Sequence, residues 1–148
     1  MSATGLEVFD TTLHKTNAWL NEIMNVLGWS DRHKAYLALR ATLHAVRDRL
    51  TVDEAAQFAA QLPMLIRGLY YEGWDPTDKP LRERRKEQFL ARIAQEFWSN
   101  DGVDPDTVAR GVFAVVAQRI SEGELLDVQQ MLPGELRDLW PGVDVQAA

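Results

Sequence analysis

The stretch RLTVDEAAQFAAQLPMLIRGLY, residues 49–70, has a counterpart 70 residues later in RISEGELLDVQQMLPGELRDLW, residues 119–140. Each copy has a Thr or Ser followed three residues later by Glu, the pattern of a helix capping box, and then a Leu-Pro step that starts a new helix. A match at fixed spacing predicts an internal duplication. Aligned without a gap, residues 19–71 and 89–141 share eleven identities: Leu20/Leu90, Ile23/Ile93, Asp31/Asp101, Arg40/Arg110, Val46/Val116, Arg49/Arg119, Glu54/Glu124, Leu62/Leu132, Pro63/Pro133, Arg67/Arg137 and Leu69/Leu139.

Apolar residues on both sides of this stretch recur at spacings of three and four, as on one face of a helix. No segment alternates with period two for long enough to be a strand. The sequence therefore predicts an all-α protein of eight helices. We expect two four-helix repeats, residues 13–71 and 83–141, joined by a linker at 72–82 and packed about a pseudo-two-fold axis. A single repeat is too short to bury a sufficient core, so we expect one globular domain over residues 1–148.

The composition excludes several classes of function. With 22 acidic and 16 basic residues the net charge is −6, which makes nucleic acid an unlikely partner. Because cysteine is absent, disulfides, thiolate nucleophiles and cysteine metal sites are excluded, and a reducing cytoplasm fits. The N-terminus lacks the pattern of a secretory signal, and the longest apolar stretch, residues 111–117, is too short to cross a bilayer. We expect a cytoplasmic protein with no membrane association.

The sequence offers no catalytic constellation. The three histidines, His14, His33 and His44, have no acidic residue at the spacing of a metalloprotease, and none recurs in the other repeat. Glu54 and Glu124 are better explained as capping residues than as an acid/base pair, since each follows a Thr or Ser by three positions. We therefore expect no metal, no cofactor and no enzymatic activity.

The repeated arginines Arg40/Arg110 and Arg67/Arg137 allow two interpretations. They can pair with carboxylates inside their own repeat, which the many acidic residues favour. Alternatively, they can face each other across the pseudo-two-fold axis and form an anion-binding groove. The sequence leaves both open, and the four arginines are the candidate ligand-binding residues.

The junction between the repeats carries features that occur once. Two tyrosines and Trp74 precede the basic run Lys79, Arg82, Arg84, Arg85 and Lys86, a combination found on phosphate-binding and base-stacking surfaces. Against this, Glu83 and Glu87 interrupt the run, and a helix here would place Arg82 and Lys86 on one solvated stripe. The favoured interpretation is a solvated helix start beside an aromatic linker.

Aromatic residues at helix ends and in the linker are the candidate anchors for a protein partner. Tryptophan and tyrosine are enriched at protein interfaces. Trp29 follows a helix-ending glycine, and Trp74 lies in the linker, so both are expected to be partly exposed. We take Trp29, Tyr71 and Trp74 as the candidate partner-binding residues.

The segments RLTVDEAAQFAAQLP, LIRGLYYEGWDP and RISEGELLDVQQMLPGELRDLW resemble the bacterial domain of unknown function family 2267, and the resemblance extends from about Leu13 to Pro141. It implies a small all-helical cytosolic protein of bacteria and archaea with no established activity, and it carries over no catalytic residue. We therefore expect a soluble, non-enzymatic interaction or scaffold module that binds an unknown protein partner or itself. The alternative is a small-ligand or anion-binding protein that uses the groove between the repeats.

Overall fold

The computed structural model describes residues 2–97 and 102–141, and these are helical with no strand, which confirms the all-α prediction. Seven α-helices and a 3₁₀ helix follow one another: α1 Glu7–Leu27, α2 Arg32–Arg47, α3 Val52–Ala59, α4 Met64–Tyr71, α5 Lys86–Gln95, α6 Pro105–Arg119, α7 Glu122–Met131 and the 3₁₀ helix Gly134–Leu139. Trp98, Asp101 and residues 142–148 lie outside the described residues. No helix within the described ranges is both long and apolar enough to span a membrane.

Several helices begin or end at residues that cap them through a side chain or through their backbone conformation. Gly28 ends α1 with φ 70°, a left-handed conformation that glycine adopts without strain. The Asp31 carboxylate accepts hydrogen bonds from the first backbone N–H groups of α2. Both bonds of the capping box between Thr51 and Glu54 are present. In the second half, Ser121 caps α7 by accepting from the backbone N–H of Glu124 at 3.3 Å.

Two helix starts differ from the sequence-based expectation. α1 begins at Glu7 rather than near Leu13, since residues 7–12 add further turns to its N-terminal end. α5 begins at Lys86, so the connection after α4 covers residues 72–85. The expectation that Arg82 and Lys86 share a helical stripe is therefore wrong, since Arg82 precedes the helix.

Helix order in the second half follows that of the first half at the 70-residue spacing. Helices α2, α3 and α4 correspond in position to α6, α7 and the 3₁₀ helix. One side-chain contact also recurs: Nε of Arg67 donates to the carbonyl of Ala59 at 3.0 Å, and Nε of Arg137 donates to that of Gln129 at 3.1 Å. The pseudo-two-fold axis itself stays a prediction.

The hydrophobic core is one connected cluster with residues from each of these helices, and α2 lies against α1, α4, α5 and α6. The buried face of α2 contains several alanines, which let neighbouring helices approach closely. α6 lies close against α1 at Gly111, where an added Cβ would lie 2.5 Å from Cδ2 of Leu27. The ring of Phe113 stacks on Trp140 with centroids 3.9 Å apart. This packing places the short helix α4 at the surface, between α1 and α2.

Candidate functional site

An apolar groove of about 710 Å³ lies between α1, α2 and α4. Its floor contains the buried side chains of Leu39 and Ile66. Its walls contain exposed apolar residues: Phe9 is 48% exposed, and Met64 and Leu65 are each 44% exposed. Large side chains of this kind are normally buried or scattered singly, so their meeting at one concave surface indicates a binding site.

The N-terminal end of α4 is fixed to α1 by a buried threonine. Pro63 occupies the N-cap position of α4 and provides no side-chain cap. Instead, Oγ1 of Thr12 accepts a hydrogen bond from the backbone N–H of Leu65 at 2.8 Å. The first N–H groups of a helix have no partner within it, so Thr12 supplies from α1 the acceptor that α4 lacks. This contact fixes the separation of the two groove walls.

The C-terminal end of α4 is fixed by two buried polar residues of α2. Nε2 of His44 lies 2.8 Å from the carbonyl oxygen of Leu69, and Nη1 of Arg47 donates to the carbonyls of Tyr70 and Glu72, both at 2.9 Å. Burial lowers the pKa of His44, which favours the neutral ring with Nε2–H as donor. Cationic and imidazole donors near the last carbonyls of a helix stabilise its end. Both ends of α4 are therefore anchored, and the groove is a preformed feature.

Polar groups lie at the edge of the groove. Thr4 contributes to its mouth, and its backbone N–H and hydroxyl both donate to the carboxylate of Asp10. Hydrogen bonds from Ser2 and Thr4 lower the pKa of Asp10, so this carboxylate stays charged and holds the N-terminal segment at the edge. Glu72, at the C-terminal end of α4, adds an exposed carboxylate that lies 3.6 Å from Nε of Arg40.

The four repeated arginines are each bound to separate acceptors. Arg40 donates to Glu96 at 2.9 Å, so its main partner lies in the other repeat rather than its own. Arg110 pairs with Asp106 at 2.5 Å and donates to the carbonyl of Asp138 at 2.8 Å. Hydrogen bonding to Asp106 raises the pKa of Arg110.

Arg67 and Arg137 bind backbone carbonyls instead of carboxylates. Besides the recurring Nε contact, Nη2 of Arg67 donates to the carbonyl of Leu62 at 2.8 Å, and Nη2 of Arg137 donates to that of Gln130 at 3.4 Å. Both guanidinium groups thus cap the end of the preceding helix, α3 or α7. A shared anion-binding role for the four arginines stays a prediction, and an anion would have to compete with these acceptors.

The three aromatic residues proposed as partner anchors are half-buried and pack against the core. Trp29 contacts Phe97 edge to face at 6.3 Å, and the ammonium of Lys34 lies 4.4 Å from its ring centroid. Tyr71 lies next to Trp74, with centroids 5.5 Å apart. Each ring is partly exposed, and their role as anchors stays a prediction.

The apolar groove is the feature that sequence reasoning missed. In α4, Ile66 and Tyr70 are buried, whereas Leu65 is exposed. The sequence did contain a signal for this groove, because α4 has more large apolar residues than one face of an eight-residue helix can bury. These residues are Met64, Leu65, Ile66, Leu69 and Tyr70.

A second concave surface, of about 750 Å³, lies in the connection between α4 and α5 and is lined by Asp78, Lys79, Pro80, Leu81, Arg82 and Arg84. Its lining is cationic, whereas the groove between α1, α2 and α4 is apolar. In residues 2–97 and 102–141, no three His, Asp or Glu side chains are arranged to hold a metal ion.

Comparison with protein families identifies one to which the chain is similar. The family model described as "Uncharacterized conserved protein (DUF2267)" matches residues 16–139, which cover most of the chain and all of the described helices except the first turns of α1. No curated protein matches the chain.

Proposed function

The chain belongs to the DUF2267 family of uncharacterized conserved proteins, and from that premise we propose that it is a non-enzymatic interaction module which binds an amphipathic helix of a partner protein. The occupied surface is the apolar groove between α1, α2 and α4. The observation that carries the proposal is the exposure of Phe9, Met64 and Leu65 around a groove anchored at both ends of α4.

The shape of the groove suits a helix. α1 contributes Phe9, Leu13, Thr16 and Leu20, which are spaced by four, three and four residues and cover roughly 17 Å of helix axis. A partner helix of about three turns matches this length, with apolar anchors at positions i, i+4 and i+7. Met64 adds an unbranched side chain that adapts to different anchors.

The negative charge at the groove edge favours a partner helix that carries basic residues. Glu72, which belongs to the groove lining, carries an exposed carboxylate at the C-terminal end of α4. A partner helix with Lys or Arg beside its apolar face therefore gains electrostatic complementarity. The same charge and the overall value of −6 argue against nucleic acid at this surface.

We place this activity in the cytoplasm as part of the proposal. The absence of cysteine supports a reducing compartment. Fractionation of cells that express the tagged chain, followed by immunoblotting, tests this placement. Recovery outside the cytosolic fraction would contradict it.

The test of the groove is a selection of 16-residue helical peptides displayed on phage, followed by fluorescence anisotropy with the purified chain. The selected peptides are expected to carry apolar residues at i, i+4 and i+7 and to lose affinity about tenfold or more for Leu65→Asp, because burial of a leucine contributes about 1.5–3 kcal/mol. The matched control is Leu126→Asp, at an exposed leucine of α7 outside the groove, which should bind normally.

Three results would overturn the proposal. Selected peptides without helical periodicity, or with equal affinity for both variants, would remove the helix-in-groove mode. Conversion of a wild-type dimer to a monomer by Leu65→Asp in analytical ultracentrifugation would assign the groove to a second copy. Displacement of the peptides by a stoichiometric fatty acid would assign it to a small apolar ligand.

A further inference from the structure

The connection between α4 and α5 places three cations around one cavity without a carboxylate at ion-pair distance from any of them, among the residues that the structure describes. Lys79, Arg82 and Arg84 line this cavity of about 750 Å³, and Asp78 is the acidic residue in its lining. This local excess of positive charge stands in a chain of net charge −6. A positively charged cavity on a protein of negative net charge raises the local concentration of anions at that cavity.

The carboxylates that interrupt the basic run in the sequence are directed elsewhere. Glu83, between the two arginines, binds the buried guanidinium of Arg49, with Oε1 and Nη2 2.6 Å apart. Because Glu83 is engaged by Arg49, it leaves Arg82 and Arg84 unneutralised. The apparent balance of charge in the sequence is therefore absent from the surface.

The remaining charges of the run are separately paired. Arg85 lies 3.5 Å from Glu87, and Nζ of Lys86 lies 3.0 Å from Asp138. Nearer the cavity, Asp75 accepts a hydrogen bond from the backbone N–H of Thr77 at 3.0 Å and stays beyond ion-pair distance of Lys79. Arg82 and Arg84 thus differ from their neighbours because no carboxylate of the described chain lies at ion-pair distance from them. Lys79 has no such contact either, although its charge adds to the hydrogen bonds from Thr77 that lower the pKa of Asp75.

The cavity is held in place by the core. The backbone N–H of Leu81 donates to the carbonyl of Asp48 at 2.8 Å, which joins the connection to the end of α2. Two residues later, Glu83 joins it to Arg49. These two attachments flank Arg82 and orient the backbone that carries the cations, so the site is partly preorganised for a ligand.

From this arrangement we infer that the cavity lined by Lys79, Arg82 and Arg84 binds a small molecule with a di- or triphosphate group. The three cations outweigh Asp78 by two positive charges, and the volume accommodates consecutive phosphates, whose oxygens offer more acceptors to these donors than a single phosphate does. Arginine side chains bind phosphate oxygens through paired N–H donors, while the lysine adds a point charge. The site is separate from the apolar groove and does not depend on the proposed helix partner.

The test is isothermal titration calorimetry of the full chain with pyrophosphate, tripolyphosphate and ADP at low and moderate salt. Wild type is expected to bind pyrophosphate with an affinity that falls as salt rises. The double substitution Arg82→Gln/Arg84→Gln, at two exposed residues, is expected to weaken binding at least tenfold. The charge-matched control is Lys15→Gln/Arg32→Gln, which removes two exposed cations from α1 and α2 and should change affinity less than twofold.

The outcomes of the titration identify the class of ligand or overturn the inference. Tighter binding of ADP than of pyrophosphate would identify a nucleotide site, whereas tighter binding of tripolyphosphate would identify an inorganic polyphosphate site, and both support the inference. Absence of pyrophosphate binding up to millimolar concentration, or equal weakening by the control, would overturn it. Binding of a 20-base-pair DNA duplex that Arg82→Gln/Arg84→Gln abolishes, in a chain that does not bind pyrophosphate, would overturn it in favour of nucleic acid.

Discussion

Thr12 and Leu65 are 53 positions apart in sequence and are joined by one hydrogen bond, from the backbone N–H of Leu65 to the hydroxyl oxygen of Thr12 at 2.8 Å. The bond caps the start of α4 with a residue from the second turn of α1. The same bond therefore caps α4 and fixes the separation of α1 and α4, which form two walls of the groove.

Substitution of Thr12 by valine keeps the shape of the side chain and removes the acceptor. The N–H of Leu65 then loses its partner, and we expect the free energy of unfolding to fall by about 1–2 kcal/mol in urea denaturation. The control is Thr16→Val, because the Thr16 hydroxyl donates to a helical carbonyl, that of Thr12, and its loss should have a smaller effect. Equal losses in both variants would contradict the capping role.

The buried imidazole of His44 predicts a pH dependence of stability. Burial places its pKa in the folded state below the ordinary value of 6.5, so the unfolded chain binds a proton first as the pH falls. Its contribution is fully present above about pH 6.5 and is lost as the pH falls below that value. Urea denaturation between pH 8 and pH 5 should show this loss in wild type and a flatter profile in His44→Gln. An unchanged profile in the variant would assign the dependence to other groups.

The ion pair of Glu83 with the buried Arg49 predicts an unequal effect of neutralising two nearby glutamates. Glu83→Gln leaves the guanidinium of Arg49 in a buried position without a charged partner, and we expect a loss of about 1–3 kcal/mol. Glu87→Gln removes an exposed pair with Arg85 and should cost less than about 1 kcal/mol. Thermal unfolding monitored by circular dichroism measures both. The prediction is wrong if Glu87→Gln is the more damaging change.

The recurring contact of Arg67 and Arg137 predicts similar behaviour at both sites. Arg67→Met and Arg137→Met each remove a donor from carbonyls at the end of the preceding helix while keeping an unbranched side chain. We expect both to destabilise the protein by about 1–2 kcal/mol, with additive effects in the double variant. Stabilities from urea titrations test this. A loss in one variant alone would show that the two contacts are not equivalent.

Local signals in the sequence were sufficient to predict the helices and most of their ends. Gly28, the Thr51 capping box and Ser121 act within three or four residues of the bonds they make, so the pattern alone locates them. The start of α5 was missed because the charged residues after Leu81 are compatible with a helix, whereas contacts with Asp48 and Arg49 hold that segment in another conformation.

The candidate sites were only partly accessible from the sequence. The basic run at the junction is visible in the sequence, but Glu83 is interpreted there as a neutralising neighbour of Arg82 and Arg84, because only its adjacent position is known. The sequence also singled out Arg67 and Arg137, whose partners are backbone carbonyls eight positions earlier. No periodicity specified that Leu65 would remain exposed beside Phe9, since this depends on how α4 rotates against α1.

The sequence by itself determined the all-α class, the order of the helices and the 70-residue spacing, because capping and apolar periodicity involve residues within a few turns of each other. The tertiary structure alone decided which exposed apolar residues meet in a groove, and which cations remain without an internal partner in the described chain. The physical reason is that these features depend on the rotation and contact of helices far apart in sequence: Thr12 sets the position of α4, and Arg49 draws Glu83 away from the surface cations.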